Sequence, residues 1–404
     1  MSGKWPGGII SKTAPTVTGG EFGSASGIWT LDQVADYEKQ GLWPEPVRPK
    51  ELWCTGQGAY GQLGQGSVTA YSSPVQVGAL TDWATPSGGE FMQLAVKQDG
   101  TLWTWGSGNS GRLGHGNTTS LSSPVQVGAL TDWSVGAGGG EFSAAIKTDG
   151  TLWTWGLNTY GQLGDSSTTS RSSPVQVGAL TTWSAIALGG QFLIATKTDG
   201  TLWAVGRNNE GQLGQNNETN YSSPVQVGAL TDWTDKIAAG YGHVFGLKSD
   251  GTFWSWGDGG TGATAHGNTT KYSSPVQVGA LTDWSEITGQ QVGGVGVKTD
   301  GTIWAWGQNN YGQVGQEDST EYSSPVQIGA LTNWSKSGSG SNCNFGLKTD
   351  GTLWAWGYNG IYGALGLGDT TSRSSPVQVG ALTTWVVISN RWANSTNFSA
   401  LKTV

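Results

Sequence analysis

The chain has 404 residues, including 68 glycines and 23 tryptophans, and its formal net charge is −8 with only 12% charged residues. The acidic balance and the lack of clustered Lys and Arg argue against a nucleic-acid-binding surface. No stretch approaches the length of apolar sequence that a bilayer-spanning helix needs, and the two cysteines are too few for a disulfide framework.

Residues 1–50 contain no copy of the repeat that fills the rest of the chain. The first half of this segment is rich in Gly, Ser, Thr and Pro and predicts an extended arm. Thr30 opens a capping box with Gln33, and Gly41 stands at a C-terminal cap position, so we predict one short helix over residues 31–40. A helix this short is not stable alone and must dock on something.

The same segment resembles a family of phage proteins. The strings at residues 7–12, 27–34 and 41–44 are similar to the N-terminal segment of tail-associated and appendage proteins of marine bacteriophages. This resemblance implies attachment to a phage particle. The alternative is that the predicted helix caps one face of the domain that residues 51–404 form, which the repeats described next predict to be a propeller. The candidate attachment residues are Trp29, Leu31, Val34, Tyr37 and Trp43.

Seven copies of one stretch organise residues 51–404. Its first copy, Ser-Ser-Pro-Val-Gln-Val-Gly-Ala-Leu-Thr-Asp-Trp, spans residues 72–83, and successive copies follow at steps of 50 or 51 residues. This period, together with short alternating strands and glycine turns, predicts an all-β fold, a seven-bladed β-propeller. The prolines of the seven copies are Pro74, Pro124, Pro174, Pro224, Pro275, Pro325 and Pro376.

Each repeat also contains an Asp-Gly hairpin, a turn for which we expect positive φ at both central residues. The hairpin occurs six times for seven repeats, the first time at Asp99. Residues 398–404 have the sequence of the first half of a seventh hairpin, and residues 51–54 have the sequence of its second half. We therefore predict that the C-terminal strand pairs with the first repeat strand and closes the ring.

Tryptophan follows the same period, and 19 of the 23 tryptophans stand at fixed positions of the repeat. A residue that recurs in phase with the strands is typical of the core. We therefore expect these large side chains to pack the blades rather than to stack on a ligand.

The motif Gly-x-Asn-x-x-Gly-Gln-Leu-Gly follows each hairpin, for example at residues 156–164. In three repeats Gly replaces Asn and produces Gly-x-Gly-x-x-Gly, at residues 56–61, 106–111 and 257–262. No helix is predicted after them, so they do not indicate a dinucleotide site. The exchange of Gly with Asn predicts a left-handed turn position instead.

Hairpin and loop together resemble the repeat of the regulator of chromosome condensation family. The shared pattern is Leu-Lys-Thr-Asp-Gly-Thr-Leu-Trp-x-Trp-Gly-x-Asn-x-x-Gly-Gln-Leu-Gly, and the resemblance covers residues 51–404. It implies four-stranded blades with both ends of the repeat region in one blade. Propellers of this type include an exchange factor on chromatin, ligase domains and a β-lactamase inhibitor, so the resemblance does not fix a function. The family often has His before the hairpin, and here only His243 occupies that place.

No catalytic group, metal site or cofactor is predicted. The three histidines and two cysteines lack the spacing of a zinc site, and nothing singles out a Ser/His/Asp triad. Cys54 and Cys343 fall in neighbouring blades, which leaves a disulfide and two buried thiols as alternatives.

The candidate partner-binding residues are loop positions that differ among the seven copies. One position precedes the Gly-Gln-Leu-Gly turn and often holds Tyr, and the longest turn, in the last repeat, holds Arg391 and Trp392. Such residue types anchor protein interfaces, although unconstrained variation is the alternative. The candidates are Tyr60, Tyr160, Glu210, Tyr311, Tyr362, Arg391 and Trp392.

These features favour a non-enzymatic structural or binding protein of a tailed-phage virion, as part of a tail, fibre or surface appendage. Residues 1–50 would attach to other virion proteins, and the propeller of residues 51–404 would present loops to a host receptor, a glycan or another subunit. A bacterial interaction or inhibitor propeller, cytoplasmic or extracellular, is the alternative, and a polysaccharide-active propeller is the third hypothesis. Self-association stays open, and neither nucleic acid nor membrane insertion is expected.

Overall fold

The computed structural model describes residues 48–391 and 397–404. These residues form seven sheets of four antiparallel strands, with a two-residue fifth strand added in parallel to one sheet. The predicted all-β propeller of seven blades is confirmed. The predicted arm and helix lie outside the described residues, as do the attachment residues Trp29, Leu31, Val34, Tyr37 and Trp43.

The strands follow one another in a fixed order that repeats from blade to blade. Blade 1 is formed by β3–β6, blade 2 by β7–β10, blade 3 by β11–β14, blade 4 by β15–β18, blade 5 by β19–β22 and blade 6 by β23–β26, and blade 7 combines β27 and β29 with β1 and β2. In chain order the strands are β1 (Lys50–Gly56), β2 (Tyr71–Gln76), β3 (Trp83–Gly88), β4 (Met92–Lys97), β5 (Leu102–Gly106), β6 (Leu121–Gln126), β7 (Trp133–Gly138), β8 (Phe142–Lys147), β9 (Leu152–Gly156), β10 (Arg171–Gln176), β11 (Trp183–Leu188), β12 (Phe192–Lys197), β13 (Leu202–Gly206), β14 (Tyr221–Gln226), β15 (Trp233–Ala239), β16 (His243–Lys248), β17 (Phe253–Gly257), β18 (Tyr272–Gln277), β19 (Trp284–Gln290), β20 (Gly293–Lys298), β21 (Ile303–Gly307), β22 (Tyr322–Gln327), β23 (Trp334–Ser339), β24 (Cys343–Lys348), β25 (Leu353–Gly357), β26 (Arg373–Gln378), β27 (Trp385–Ile388), β28 (Asn390–Arg391) and β29 (Asn397–Thr403). Two short 3-10 turns, Asn109–Gly111 and Gly260–Gly262, lie in the loops of blades 1 and 4.

The ring is closed in blade 7 by the two ends of the repeat region. Strands β1 and β29 pair along their whole length, from Lys50 opposite Thr403 to Gly56 opposite Asn397. An ion pair of 2.8 Å between Lys402 Nζ and Glu51 Oε2 adds a side-chain contact across the same pairing. The predicted closure is therefore confirmed, and no unpaired edge is left between the two strands.

The first strand of each blade faces the axis, where the first strands of adjacent blades pack against one another. Small residues allow this close approach, and Gly138, Ala187, Ala239 and Gly289 line a central cavity of only about 50 Å³. The second strands are buried along their whole length in blades 1 to 6. The centre of the ring is therefore a packed core, and the loops carry the accessible surface.

In five of the seven blades a buried tryptophan bonds to the blade before it. Trp155 is fully buried in the third strand of blade 2, and its indole Nε1–H donates to the Arg112 carbonyl of blade 1 at 2.8 Å. Trp256 makes the same bond to the Gln212 carbonyl at 2.9 Å. The expectation that recurring tryptophans pack the blades is confirmed, and the indole N–H groups also bond across the blade boundaries.

The hairpins differ from the turn that we expected. Only the glycine has positive φ, for example +77° at Gly100, whereas Asp99 does not. The Lys97 amide donates to the Thr101 carbonyl, so three residues close the turn. The Asp99 carboxylate accepts from both the amide and the hydroxyl of Thr101. The turn is thus a three-residue loop with its left-handed position at glycine, a form that needs only one positive φ.

Two faces of the ring follow from this strand order. We call the face with the Asp-Gly turns and the connections between blades the hairpin face. The opposite face carries the turns between first and second strands and the long loops between third and fourth strands, and we call it the loop face.

Candidate binding face

The long loops of the loop face are held by a buried side chain at their base. In blade 5 the Asn309 amide oxygen accepts from the Val314 amide at 2.8 Å, and its Nδ2 donates to the Asp318 carbonyl at 3.1 Å. Gln313 Oε1 accepts from the Tyr311 amide at 2.9 Å. These bonds fix the loop backbone and leave the Tyr311 side chain 44% exposed.

The prediction of a left-handed turn at the Gly/Asn position is wrong. Gly108 has a φ of −92°, and the left-handed residue is Gly111 with a φ of +78°. A Cβ at Gly108 would lie 2.1 Å from the Thr119 carbonyl oxygen. In the three loops with glycine at this position, the loop backbone passes too close for a side chain, whereas in the other loops an asparagine side chain fits there and bonds to the backbone.

Three of the candidate tyrosines contact an aromatic or cationic side chain of the following blade. Tyr60 packs on Phe91 with ring centroids 4.8 Å apart, and Tyr311 packs on Tyr358 at 4.6 Å. The guanidinium of Arg207 lies 5.9 Å from the ring centre of Tyr160. Each contact spans a blade boundary on the loop face and holds one tyrosine in place.

Glu210 belongs to a group of charges on the same face. Its carboxylate lies 3.8 Å from Arg207 and 3.3 Å from Lys271, and Lys271 also pairs with Glu218 at 2.9 Å. The hydrogen bond to Glu218, opposed by slight burial and assisted by Glu210, raises the pKa of the Lys271 ammonium. Because Lys271 and Glu218 are exposed to water and Arg207 and Glu210 are partly so, their pairing adds little stability.

The remaining candidates lie in blades 6 and 7. Tyr362 is half-buried in the long loop of blade 6, and its neighbour Ile361 is 77% exposed. Arg391 belongs to β28, and its backbone pairs with Gly88 of β3. Trp392 lies outside the described residues. The candidates thus occupy several blades. Tyr160 and Glu210 lie in the long loops of the neighbouring blades 2 and 3, and Tyr311, Tyr362 and Tyr60 lie in those of blades 5, 6 and 7.

The structure adds residues that the repeat comparison did not single out. They are the partners of the candidates, Phe91, Arg207 and Tyr358, and the exposed Ile361. One signal for Ile361 was present, because the loop from Gly357 to Gly363 is one residue longer than its counterpart in blade 5. Which of these residues binds a partner stays a prediction.

The titratable groups that the sequence offered for chemistry are mostly buried. His243 is fully buried, its Nε2 lies 3.1 Å from the Gly293 carbonyl, and burial lowers the pKa of its imidazole to about 4. Cys54 and Cys343 are buried thiols in adjacent blades.

Across residues 48–391 and 397–404, no group of His, Cys, Asp and Glu is placed to hold a metal ion. Within those ranges, no helix has the length and apolarity to cross a bilayer.

Comparisons with known proteins agree with this architecture. The structure of human WBSCR16 superposes with a TM-score of 0.77 at 18% identity, over 88% of this chain and 99% of that one. Prp20p from Saccharomyces cerevisiae, described with its binding properties to Gsp1p and histones, has a TM-score of 0.76 at 18% identity, over 88% and 92%. At this identity the likeness shows the fold alone. A search among curated protein sequences gave no match.

Sequence models of the repeat provide the family assignment. The model for the regulator of chromosome condensation (RCC1) repeat matches residues 99–146, 149–196, 199–247, 300–347 and 350–389. A second model of the same repeat matches residues 134–162, 183–212 and 235–263. The first model alone matches more than half of the chain, and the chain therefore belongs to the RCC1 repeat family.

Proposed function

We propose that this chain is a non-enzymatic propeller that binds a protein partner through its loop face. The observation that carries the proposal is the contrast between blades and loops. The third and fourth strands and the six Asp-Gly hairpins are nearly identical among the repeats, whereas the loop face presents Tyr, Phe, Arg and Ile side chains that differ from blade to blade. Variable aromatic side chains on a rigid support are typical of a specific protein interface.

The boundary between blades 5 and 6 is the centre of the proposed interface. Tyr311 and Tyr358 pack together there with their rings tilted by 53°, and Ile361 projects from the next loop with 77% of its surface exposed. The two tyrosines fix each other's orientation, so little conformational entropy is lost when a partner covers them. A large exposed apolar residue beside them adds the area that a hot spot needs.

The more specific part of the proposal is that the protein belongs to the tail, fibre or surface appendage of a tailed phage. It rests on the resemblance of residues 1–50 to phage tail and appendage proteins. In this role residues 1–50 attach the protein to the particle, and the loop face binds a host-surface protein or another subunit. A bacterial interaction or inhibitor propeller remains the alternative.

Site-specific photo-crosslinking tests the loop face. A crosslinking amino acid at Tyr311 or Ile361 should trap one defined protein in producing cells, whereas the same group at Leu331 serves as control because that leucine is 51% exposed on the hairpin face. A trapped virion protein or host-surface protein supports the phage role, and a trapped soluble bacterial protein supports the alternative. Equal labelling from both faces, or none from the loop face, would refute the proposal.

Deletion of residues 1–45 tests the attachment role separately. We expect a soluble propeller with an unchanged melting temperature that no longer joins phage particles. Particles that incorporate the deleted form as well as the full chain contradict the phage role and leave the loop-face proposal intact.

A further inference from the structure

Cavities recur on the rim of the ring, between the outer strand of one blade and the next blade. They lie at the boundaries of blades 1 and 2, 2 and 3, 4 and 5, and 6 and 7, with volumes of about 390, 460, 420 and 250 Å³. We call them the rim grooves. In the first of them a half-buried Trp153, the edge of Trp133, the Pro174 ring and Leu130 form the walls. Equivalent residues line the other three.

One loop position differs in sequence between these four boundaries and the other three. At the other three it is glutamine, whose Nε2 donates to an outer-strand carbonyl, from Gln65 to Gln76 at 2.8 Å, from Gln215 to Gln226 at 2.9 Å and from Gln316 to Gln327 at 2.8 Å. That side chain therefore lies across the position of the groove. At the four boundaries with a groove the residue is His115, Asp165, His266 or Leu367.

The four replacements leave the outer-strand carbonyl without this donor. His115 Nε2 bonds to the Thr104 hydroxyl at 2.9 Å, and His266 Nε2 bonds to the Ser255 hydroxyl at 2.9 Å. Asp165 pairs with Arg171 at 2.9 Å, and the leucine has no donor. The outer-strand residues Gln176 and Gln277 line the grooves at the boundaries of blades 2 and 3 and of blades 4 and 5, and a ligand hydroxyl can donate to their carbonyls in place of the glutamine side chain.

The rim grooves carry little net charge. Burial lowers the pKa of the imidazoles of His115 and His266, which keeps both neutral at pH 7. The Asp165 carboxylate is compensated by Arg171 at 2.9 Å, and Leu367 is apolar. A lysine ammonium also lies over the tryptophan of each groove, 4.6 Å from Trp153, 3.5 Å from Trp203, 4.2 Å from Trp304 and 5.4 Å from Trp53. In three of the grooves this lysine is ion-paired, Lys147 with Asp132, Lys298 with Asp283 and Lys402 with Glu51. The charges there are balanced, which suits a neutral ligand.

Size and wall chemistry narrow the class of ligand further. Small-molecule pockets usually measure about 300–1,000 Å³ and combine aromatic walls with a few polar groups. A sugar ring matches this combination, because its C–H face packs on an indole while its hydroxyls donate to carbonyl oxygens. Four grooves on one rigid ring also suit a polymer with a repeating unit, since simultaneous contacts multiply the affinity.

We propose that the four rim grooves bind neutral carbohydrate, with one pyranose ring packed on the half-buried tryptophan of each groove and a hydroxyl donating to the outer-strand carbonyl. This site differs from the cluster of Tyr311, Tyr358 and Ile361 on the loop face, and it adds glycan binding to the protein binding proposed there.

The chain itself supplies the variant that closes the grooves. His115→Gln, Asp165→Gln, His266→Gln and Leu367→Gln together install the residue found at the other three boundaries, so the fold should be kept. The full chain is first screened on an array of neutral bacterial polysaccharides, and the best oligosaccharide is then titrated by calorimetry. We expect at least a tenfold loss of affinity in the fourfold variant with an unchanged melting temperature.

The reverse variant keeps the test decisive if the fourfold variant is unstable. Gln65→Leu, Gln215→Leu and Gln316→Leu install the residue at position 367 and should raise the stoichiometry from four oligosaccharides per chain towards seven. Absence of binding to every glycan on the array, or equal binding by the fourfold variant, overturns the proposal. Binding of a proline-rich peptide in the grooves instead of sugar overturns it as well. Crosslinking from Tyr311 should be the same in the fourfold variant, none of whose substitutions lies in the loop of Tyr311, and this separates the result from the loop-face test.

Discussion

Replacement of one buried tryptophan tests whether the bonds across blade boundaries stabilise the ring. Trp256 is fully buried, and its Nε1–H donates to the Gln212 carbonyl of the preceding blade at 2.9 Å. Blade 3 has Val205 at the equivalent position, so Trp256→Val introduces a residue that the repeat accepts elsewhere. Truncation of a buried tryptophan costs about 3–5 kcal/mol, and an unpaired buried carbonyl adds about 1 kcal/mol. Because valine retains part of the packing, we expect a total of about 4 kcal/mol.

The matching change in melting temperature follows from the size of the propeller. An unfolding entropy of about 2.1 cal/mol/K per residue converts that loss into a decrease of about 5 °C for a unit of this length. Calorimetry measures the decrease, and Trp254→Val is the control, because that indole is half-buried and bonds to Thr252 within its own hairpin at 2.8 Å. A decrease below 2 °C, or an equal decrease in the control, would refute the role assigned to the bond between blades.

Three further predictions concern pH, closure and the loops. Because the pKa of His243 is lowered to about 4 in the folded protein, the unfolded chain binds this proton first, and stability falls by on the order of 3 kcal/mol as the pH drops from about 6.5 to 4. His243→Phe, which installs the residue found at Phe142, should flatten this dependence in urea unfolding at pH 7 and 4.5, and an unchanged dependence contradicts the assignment. Removal of residues 397–404 exposes the edge of β1 and should cause self-association in light scattering, whereas a monomer with the original melting temperature would contradict the closure. Asn309→Ala removes the acceptor of the Val314 amide, costs about 1–3 kcal/mol and should raise hydrogen exchange in residues 308–321 alone; faster exchange throughout blade 5 would show that the bond supports the blade and not the loop.

Much of the fold could be predicted because its determinants are local and repeated. Alternating apolar residues and the Asp-Gly pairs define the strands, and the period counts the blades. The split seventh hairpin also identifies the pairing of residues 51–54 with residues 398–404, because each half lacks the other half of a hairpin beside it in the sequence. The geometry of the turns was less predictable. Asp99-Gly100 suits a two-residue turn as well as the observed three-residue loop, and only the bond from Lys97 to Thr101 distinguishes the two.

The binding surfaces could be predicted only in part, because they arise between blades. Comparison of the repeats identifies Tyr311 as variable, but it does not show that Tyr358 of the next blade holds its ring. The rim grooves were missed for the same reason. The difference between Gln65 and His115 resembles unconstrained loop variation until the glutamine is seen to bond to the outer-strand carbonyl.

In blade 7, strands β29 and β1 pair like the two strands of a hairpin that lacks its turn, with Thr403 opposite Lys50. A short engineered linker containing Asp-Gly would restore that turn, and the backbone could then be cut at another hairpin, such as Asp149-Gly150. The fold should tolerate such circular permutation, since every blade would keep its four strands and both of its neighbours. The chain termini of the propeller can therefore be moved to the hairpin of any blade. A fusion partner can then be attached at any of seven points on the hairpin face.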